Sequence, residues 1–393
     1  MLDWLASAAG VALVVAALRT HRTLRAALAP GERPERLRDY PSLSVIRPIK
    51  GLDPAIEENL RAALDHGYPG ALETLFVFDD ADEPALPLVK RVLAGQRATG
   101  GRAAAEIVLC GAPPPGRTGK LNAMIHGLRR ARGDLVAFVD SDVRADRDAL
   151  RVAVETLLSD PKAGSAAAPA VVTPPPRSLP DAASCVLLNG LYGPSSRLSA
   201  HEQGELPFIM GQLMVLRREA LNAIGNLEDV AGNFVDDIQI GVHVRRAGFR
   251  NLLSAHAVEI IWFGFRWPEF VANFVRWMTF SRGFPDWRSF KLPIVWRVST
   301  FFLGIAGGLA LLLSGHALAS LPWWGAAAVV TGSLAGLHAG MGGSPLRPRH
   351  WIAPAAVLLL APLVFLRVYT QRRVEWRGRS YELDAAGRLA RRA

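Results

Sequence analysis

The chain has 393 residues, half of them hydrophobic, and its 45 Lys and Arg outnumber its 35 Asp and Glu to give a net charge of +10. Soluble enzymes are rarely this apolar, and the apolar residues are concentrated at the two ends of the chain, which argues against a purely soluble protein. Much of the positive charge borders apolar segments, so we expect an anionic lipid surface as a partner and no nucleic acid.

The first apolar segment covers residues 4–18. A secretory signal peptide carries positive charge before its apolar region, whereas here Arg19, Arg22 and Arg25 follow it. Because Lys and Arg are enriched on the cytoplasmic side of membrane helices, residues 1–25 are predicted to be an uncleaved N-terminal membrane anchor with its C-terminal side in the cytoplasm.

Residues 40–260 alternate strand and helix signals and are long enough for one domain. The predicted elements are a strand at 43–46, a helix at 56–64, strands at 72–78 and 106–110, a loop rich in Pro and Gly at 111–119, a helix at 121–132 and a strand that ends at Asp140. This order predicts a mostly parallel sheet that binds a nucleotide beyond the carboxyl ends of its strands.

The strand before Asp140 carries the most informative motif. Residues 134–142 read Asp-Leu-Val-Ala-Phe-Val-Asp-Ser-Asp, an apolar run that ends on the carboxylates of Asp140 and Asp142. Two acids at this position can share a hard divalent cation that neutralises a diphosphate. The triplet alone is weak evidence, because it is expected about once by chance in such a chain. A further triplet, Asp146-Arg-Asp148, is better explained as the first turn of the helix that follows.

Other ligand classes have no motif in the chain. No Gly-x-Gly-x-x-Gly follows the first predicted strand and no Walker loop occurs, which disfavours a dinucleotide or ATP. The two cysteines, Cys110 and Cys185, do not have the paired spacing of metal ligands, so we expect ordinary reduced thiols.

Three further apolar stretches lie near residues 296–316, 319–341 and 352–369, each close to the roughly 20 residues that span a bilayer. If all three cross the membrane, the arginine-rich segment at 371–393 ends outside the cytoplasm, which the positive-inside rule opposes. We therefore expect C-terminal transmembrane segments over 291–370, one of them re-entrant or interfacial, and a basic cytoplasmic tail at 371–393.

Five short motifs follow one another along the chain. They are Arg47-Pro-Ile-Lys-Gly-Leu-Asp53-Pro, Asp79-Asp80-Ala-Asp82-Glu-Pro84, Val139-Asp140-Ser-Asp142, Val235-Asp236-Asp237 and Arg276-Trp277. Over about residues 40–285 and the terminal membrane segments, this series resembles processive and lipid-directed family 2 glycosyltransferases. The nearest resemblance is to ceramide glucosyltransferases of family 21 and related bacterial lipid glycosyltransferases. It implies a GT-A fold, which is an α/β nucleotide-sugar-binding domain with a Rossmann-like mixed sheet, flanked by N- and C-terminal transmembrane helices.

The resemblance assigns the first acids to the donor. Asp80, with Asp82 beside it, matches the acid that holds the uracil or ribose of a UDP-sugar, although a solvated turn also favours acids. Asp140 matches the second acid, near the ribose and the metal. Asp142 completes the Asp-x-Asp pair that ligates Mg²⁺ or Mn²⁺ against the diphosphate.

The resemblance assigns the third acid to the acceptor. Asp237 matches the general base that deprotonates the acceptor hydroxyl. Asp236 stays an alternative for the same role, because adjacent acids leave the register open by one residue. Both acids also suit the first turn of a helix, where carboxylates are favoured for structural reasons.

The last motif lies on the predicted interfacial helices at residues 261–290. The family has Gln or Arg, two residues and then Arg-Trp, whereas Asn273 stands at the first position here. At helical spacing these side chains share a face, so Arg276 can reach a phosphate and Trp277 can stack on the sugar or the lipid acceptor. A membrane-interface aromatic is a second explanation for Trp277, and both can hold.

Three smaller assignments follow. Lys120 and Asn122 open a helix after a glycine-containing loop, where they can meet the diphosphate or form an ordinary loop-to-helix boundary. Gly211 resembles the position that allows close backbone contact where the acceptor approaches. Eukaryotic ceramide glucosyltransferases have a His in a Ser-His-Pro-Arg run that is missing from Pro194-Ser-Ser-Arg197, which weakens the assignment to ceramide.

The resemblance implies inverting transfer of a hexose, with UDP-glucose as the favoured UDP-sugar donor, to the hydroxyl of a ceramide-like lipid acceptor. The expected location is a bacterial inner membrane, with the catalytic domain in the cytoplasm. Hopanoid, diacylglycerol and polyprenyl phosphate stay open as acceptors. A processive polysaccharide synthase usually needs more membrane helices, and a catalytically inactive nucleotide-sugar-binding scaffold is the alternative outside enzymes.

Overall fold

The computed structural model describes residues 2–29, 31–98, 104–282 and 287–390, so the last residues of the predicted tail, which include Arg391 and Arg392, lie outside the described part. Its α-helices are α1 (Leu2–Ala26), α2 (Ile56–Leu64), α3 (Leu86–Ala98), α4 (Gly119–Arg130), α5 (Ala149–Leu158), α6 (Leu179–Val186), α7 (Gly193–Gln203), α8 (Arg218–Ala223), α9 (Asp236–Arg246), α10 (Trp267–Met278), α11 (Leu292–Leu313), α12 (Ala317–Gly340) and α13 (Ala353–Thr370).

The strands belong to three sheets. They are β1 (Leu43–Pro48), β2 (Leu72–Phe78), β3 (Ala104–Leu109), β4 (Leu135–Val139), β5 (Val143–Arg144), β6 (Ala163–Ala167), β7 (Ala170–Val172), β8 (Leu213–Arg217), β9 (Arg250–Leu253), β10 (Val258–Ile260), β11 (Arg373–Trp376) and β12 (Arg379–Glu382). The strands predicted before Asp140 are confirmed, with boundaries shifted by one or two residues.

The main sheet has seven strands in the order β3-β2-β1-β4-β8-β6-β9. Strands β1 to β4 are parallel, whereas β8 runs antiparallel to both β4 and β6, which makes the sheet mixed. Successive residues of β1 face opposite sides, so Val45 packs with Ala137 in one core cluster and Ile46 packs with Val136 in the other. Burial on both faces explains why β4 is a continuous apolar run.

The order of the strands creates a crevice. From β1 the chain builds outward through β2 and β3, and then returns to the other side of β1 with β4. In open α/β sheets, ligands bind beyond the carboxyl ends of the strands at such a switch point. The two segments that leave β1 and β4 therefore border the natural ligand site of this fold.

Within the described part of the chain, four helical segments are long and apolar enough to span a membrane, at Asp3–Ala26, Arg288–Leu313, Ala317–Gly340 and Pro348–Thr370. They make the protein an integral membrane protein. Helix α1 packs along α12, where Trp323 Nε1 donates to the carbonyl of Ala6 at 3.0 Å and His21 Nδ1 lies 2.8 Å from Ser333 Oγ. Helix α11 completes this three-helix bundle.

Helix α13 is placed differently, because its main packing partners are α6 and α10 and not the three-helix bundle. Before it begins, Arg349 Nη2 lies 3.5 Å from the carbonyl of Arg177. After it ends, the carbonyl of Gln371 accepts a hydrogen bond from Arg282. Along its length it packs against α6 and α10.

Strands β11 and β12 form an antiparallel hairpin within the segment predicted only as a basic tail. Its turn residues Arg377 and Gly378 both have positive φ, at 52° and 74°, as a two-residue turn between twisted strands requires. Val374 of the hairpin is buried in a small cluster with Phe234, Leu383 and Leu389. The hairpin is thereby attached to the loop that precedes α9.

Candidate functional site

One cleft lies at the switch point of the sheet. Its polar lining comes from the segments after β1, β2 and β4, from the start of α4, from the start of α9, from α10 and from the C-terminal hairpin. The residues of the cleft that bear charge are Lys50, Asp79, Lys120, Asp140, Asp142, Asp236, Asp237, Arg276, Arg377 and Arg379. The structure thus brings the predicted acids after β4 together with those at α9 and with the Arg-Trp motif.

Asp140 and Asp142 are held by the backbone around them. The amide of Asp140 donates to the carbonyl of Gln212 at 3.0 Å, and its own carbonyl accepts from the buried Arg47 at 2.8 Å. Trp262 Nε1 donates to Asp142 Oδ2 at 2.8 Å. Ser141, between the two acids, donates to Asp53. The pair is therefore fixed in position before any ligand binds, which is useful for binding a charged group.

The environment of the pair disfavours negative charge. Burial, only partly offset by the nearby ammonium of Lys120, raises the pKa of Asp140 to about 7. Burial and then the carboxylate of Asp53 raise the pKa of Asp142. Carboxylates that are crowded in this way are stabilised in their charged form by an added cation.

A divalent cation fits this pair when a diphosphate completes its coordination. Within the described ranges, no three His, Cys, Asp or Glu side chains gather into a complete protein cage for a metal. Mg²⁺ is commonly bound through one or two carboxylates together with substrate phosphates, which is the ligand set that Asp140 and Asp142 can begin.

Lys120 lies at the first turn of α4 and points at Asp140. Thr118 caps the helix by accepting a hydrogen bond from the amide of Leu121 at 3.1 Å, which places Lys120 over the cleft. Its Nζ lies 2.6 Å from Asp140 Oδ1. Burial opposes the charge of Lys120, but Asp140, then Asp236 and Asp237, outweigh burial and raise its pKa.

Asn122 does not face the cleft with Lys120, although both residues were predicted to meet the diphosphate. Its side chain is buried and donates to the carbonyl of Gly111 at 3.2 Å, while Arg117 donates to its oxygen at 3.3 Å. These contacts tie the loop before α4 to the end of β3. Asn122 therefore holds the loop that positions Lys120.

Asp236 and Asp237 occupy the first turn of α9 but face different surroundings. Asp237 is half-buried, and its Oδ2 accepts from the amide of Gly211 at 2.8 Å. A Cβ at position 211 would lie 2.7 Å from the Cβ of Asp237, so glycine is required for this approach. Asp236 is 4% exposed; its Oδ1 accepts from the amide of Asp237 at 2.9 Å, and burial raises its pKa.

The remaining wall of the cleft is aromatic. The ring of Trp277 lies 5.1 Å from Trp262 and 5.4 Å from Tyr192, and Phe208 packs edge-on against Phe290 at 5.2 Å. Because Trp262 also donates to Asp142, this wall reaches from the acids towards the segment that leads into α11. It provides a continuous apolar surface beside charged groups.

Arg276 approaches the cleft from α10. Its Nη2 donates to Asn273 Oδ1 at 2.7 Å, and its guanidinium lies 5.3 Å from the centre of the Trp376 ring. Asn273, which replaces the family's Gln or Arg, thus orients Arg276 through a neutral amide. Burial, and then the nearby charge of Arg377, lower the pKa of Arg276 to about 10.

The structure does not place the acids after β2 as predicted, because Asp80 and Asp82 do not line the cleft. Asp80 and Asp82 are exposed in a surface turn, where the amide of Asp82 donates to Asp80 Oδ1 at 2.9 Å. The neighbouring Asp79 faces the cleft and pairs with Lys50 at 3.0 Å and with Arg379 at 2.9 Å. A strand alternates its side chains, so a shift of one residue reverses which acid faces the ligand.

The C-terminal hairpin contributes residues that the sequence analysis missed. Arg377 pairs with Asp53 at 2.7 Å, and Tyr381 accepts a hydrogen bond from the amide of Gly119 at 3.2 Å. The sequence does carry a signal for it, since Val374 and Trp376 alternate with polar residues before an Arg-Gly pair that suits a tight turn.

A mixed α/β sheet with acids at its switch point and apolar helices at both ends of the chain is the architecture of a membrane glycosyltransferase with the GT-A fold. A family model described as Glycosyl transferase family 21 matches residues 4–389, and the chain belongs to that family. The protein is therefore a glycosyltransferase. The predicted family and fold class are both confirmed.

Individual proteins are more distantly similar. Ceramide glucosyltransferase 3 of Caenorhabditis elegans is 21% identical over 359 residues, covering 89% of this chain and 74% of that protein. A ceramide glucosyltransferase of Pyricularia oryzae is 30% identical over 136 residues, which is 32% of this chain and 27% of that protein. A mannosyltransferase from Pyrobaculum calidifontis, solved in complex with GDP-Man and Mn²⁺, aligns with a TM-score of 0.48 and 22% identity, covering 94% of this chain and 93% of that chain.

Proposed function

We propose that the protein transfers a hexose from a UDP-sugar to a hydroxyl group of a membrane lipid, with inversion at the anomeric carbon. UDP-glucose is the favoured donor and a ceramide-like lipid the favoured acceptor, in line with the names of the curated relatives. The observation that carries the proposal is that Asp140, Asp142, Asp237 and Trp277 line one cleft.

On the donor side, we assign the diphosphate to the region around Asp140 and Asp142. A divalent cation, Mg²⁺ or Mn²⁺, would there offset the charge that develops on the departing nucleoside diphosphate. Lys120, at the N-terminus of α4, and Arg276 supply further positive charge to the same oxygens. Asp79 replaces Asp80 and Asp82 in our assignment of the nucleoside contact, because it alone of the three faces the cleft.

On the acceptor side, Asp237 is the proposed general base. A base must be reachable by the acceptor hydroxyl, and Asp237 is more exposed to the cleft than Asp236. The hydrogen bond from the amide of Gly211 orients its carboxylate. The proton passes from the acceptor hydroxyl to Asp237 while the acceptor oxygen attacks from the face opposite the leaving diphosphate. Direct displacement of this kind inverts an α-linked donor to a β-linked product.

The aromatic wall suits a lipid acceptor. Trp262, Trp277 and Tyr192 place apolar rings beside the acids, on the side of the cleft formed by α10 and the segment before α11. A lipid can keep its chains in the membrane while its hydroxyl reaches Asp237, because aromatic rings of this type are favoured at the membrane interface.

We further propose that α1, α11 and α12 span the membrane and that α13 lies along its surface. Asp3 and His316 are 2.5 Å apart, which puts the start of α1 and the α11–α12 turn at the same end of the bundle. By contrast, the segment just before α13 contacts Arg177, which precedes α6, and the segment just after it contacts Arg282, which follows α10. Three crossings leave the catalytic domain and the C-terminal hairpin on one side of the membrane, which we propose to be a bacterial inner membrane. We assign this side to the cytoplasm because Arg19, Arg22 and Arg25 lie near the C-terminal end of α1.

Lipid analysis of a host that makes ceramide, with and without the protein, tests this function. We expect a new β-linked hexosylceramide in cells that express the protein, and none in cells that express Asp237→Asn at the same level. A new hexosyl lipid with a different lipid backbone would correct the acceptor. An unchanged lipid profile from a correctly inserted protein that binds UDP would contradict the proposal.

A further inference from the structure

The C-terminal hairpin inserts two arginines into a cleft formed by elements from the rest of the domain. Arg377 sits at its tip and Arg379 starts its second strand. Arg379 passes so close to the start of α4 that a Cβ at Gly119 would lie 2.3 Å from its Nη1. The hairpin is thus packed into the site and is not a solvated tail.

Four contacts fix the hairpin across the mouth of the cleft. Arg377 reaches Asp53 and also donates to the carbonyl of Lys50 at 3.1 Å. Arg379 reaches Asp79, and Tyr381 accepts from the amide of Gly119. All four partners lie on the segments that follow β1 and β2 or open α4. These are the segments that border a ligand at the switch point.

The tip arginine stands opposite a second guanidinium. Arg276 of α10 lies against Trp376, the residue immediately before Arg377, and both arginines face the cleft with Asp140 and Asp142. Burial, and then the like charge of Arg377, lower the pKa of Arg276, and an anion in contact with both guanidinium groups would offset this repulsion. Guanidinium groups bind phosphate oxygens through paired hydrogen bonds, so a diphosphate has the charge and the geometry for this position.

We propose that Arg377 is a diphosphate-binding residue of the donor site and that the hairpin is the element that carries it there. Its guanidinium pairs with Asp53, which also accepts a hydrogen bond from the hydroxyl of Ser141 between the two acids of the Asp-x-Asp pair. Donor binding exchanges the Asp53 contact for contacts with phosphate oxygens. The inference deepens the proposed function and rests on a nucleoside diphosphate sugar as the donor.

The hairpin offers a matched control. Arg373, at the start of the same hairpin, is exposed and pairs with Glu382 across the strands at 2.8 Å on the surface. Arg373→Gln removes the same charge from the same element without altering the cleft. Both variants therefore change the net charge of the hairpin equally. A difference between them in UDP binding is due to the position of the charge that is lost.

The test is binding of UDP, and of uridine, to the full-length protein in detergent with Mg²⁺, measured by calorimetry. Arg377→Gln is expected to weaken UDP binding about 10- to 100-fold, as expected for loss of a charge-assisted contact, and to leave uridine binding unchanged. Arg373→Gln is expected to bind UDP as the wild type does. Arg377→Lys, which keeps the charge but loses the paired geometry, should fall between the two.

A variant of the partner separates ligand binding from a purely structural role. Asp53→Asn releases Arg377 from its carboxylate while the amide can still accept from Ser141, so UDP binding should stay equal or become tighter. If Arg377 only anchors the hairpin through Asp53, Asp53→Asn and Arg377→Gln will weaken UDP binding alike, which would overturn the inference. Unchanged UDP binding by Arg377→Gln overturns it as well. If the wild type binds no UDP at all, the proposed donor itself is wrong.

Discussion

Two regions of the cleft contrast in how they are built, namely the end of β4 with Asp140 and Asp142, and the hairpin β11–β12 with Arg377 and Arg379. Strand β4 is buried along its whole length between two layers of apolar side chains. The hairpin rests on one cluster of four buried side chains and on a few polar contacts. The acids are therefore positioned by the core, whereas the arginines are positioned by a small element that can open at lower cost.

This contrast separates a fixed half of the site, at the end of β4, from a half that is held by the small hairpin. A rigid acid pair can hold a cation and a diphosphate in one geometry, which is what catalysis of transfer needs. A hairpin that is held by one small apolar cluster and a few polar contacts depends on local interactions and not on the core of the sheet.

Substitutions in the fixed half of the site should lower the turnover rate the most. Asp142→Asn is expected to lower kcat by roughly a thousandfold or more, together with the dependence of the rate on Mg²⁺ or Mn²⁺, because the charge on the departing diphosphate is no longer offset. The thermal midpoint should stay near that of the wild type, since a crowded carboxylate is removed. Asp146→Asn, in the exposed triplet that caps α5, is the control and should keep near-wild-type rates.

Substitutions of the two acids of α9 should lower kcat to different extents. Asp237→Asn is expected to reduce kcat about 100- to 10,000-fold through loss of the general base, while UDP binding is retained. Asp236→Asn should lower kcat less, because its carboxylate is buried and its Oδ1 is already engaged by the amide of Asp237. Single-turnover rates and UDP binding for both variants measure this, and the reverse ranking would move the base to Asp236.

Among the acids after β2, substitution of the one that faces the cleft should weaken UDP binding more than substitution of the exposed one. Asp79→Asn is expected to weaken UDP binding about tenfold, because it faces the cleft and orients Lys50 and Arg379. Asp80→Asn, one residue further in a surface turn, should change it by about twofold or less. Binding titrations with UDP decide between them, and a larger loss for Asp80→Asn would return the nucleoside contact to that residue.

The attachment of the hairpin should be separable from global stability. Val374→Ala removes part of the small cluster and is expected to speed hydrogen exchange in residues 373–382, with the thermal midpoint nearly unchanged. Val136→Ala in β4 should instead lower the free energy of unfolding by roughly 1–3 kcal/mol. Exchange measured by mass spectrometry compares the two, and a fall in global stability for Val374→Ala would contradict a loosely attached hairpin.

The sequence was informative where local patterns decide the structure. An apolar run followed by Asp140-Ser-Asp142 predicts a buried strand with acids at its carboxyl end, and the structure has both. The first turn of α9 and the helical face that holds Asn273 and Arg276 were predictable for the same reason. Each of these features depends on residues that are neighbours along the chain.

What the sequence did not reveal depends on contacts between distant segments. Nothing local to Arg377 indicates that it meets Asp53, more than 300 residues earlier, and nothing local to Asp79-Asp80 decides which acid faces inward. Asn122 was predicted to meet the diphosphate because it opens a helix after a glycine-containing loop, yet its buried side chain donates to the carbonyl of Gly111. Pairings of this kind are set by the topology of the whole domain.

The most direct test of the central claim measures UDP release from UDP-glucose by the full-length protein in lipid nanodiscs, with and without ceramide and Mg²⁺. If one cleft holds the leaving diphosphate, the base and the lipid, UDP release should require both the metal and the lipid. One β-linked glycolipid should form for each UDP that is released. Release that is independent of lipid, or tight binding of UDP with no release in the presence of any lipid hydroxyl, would contradict it.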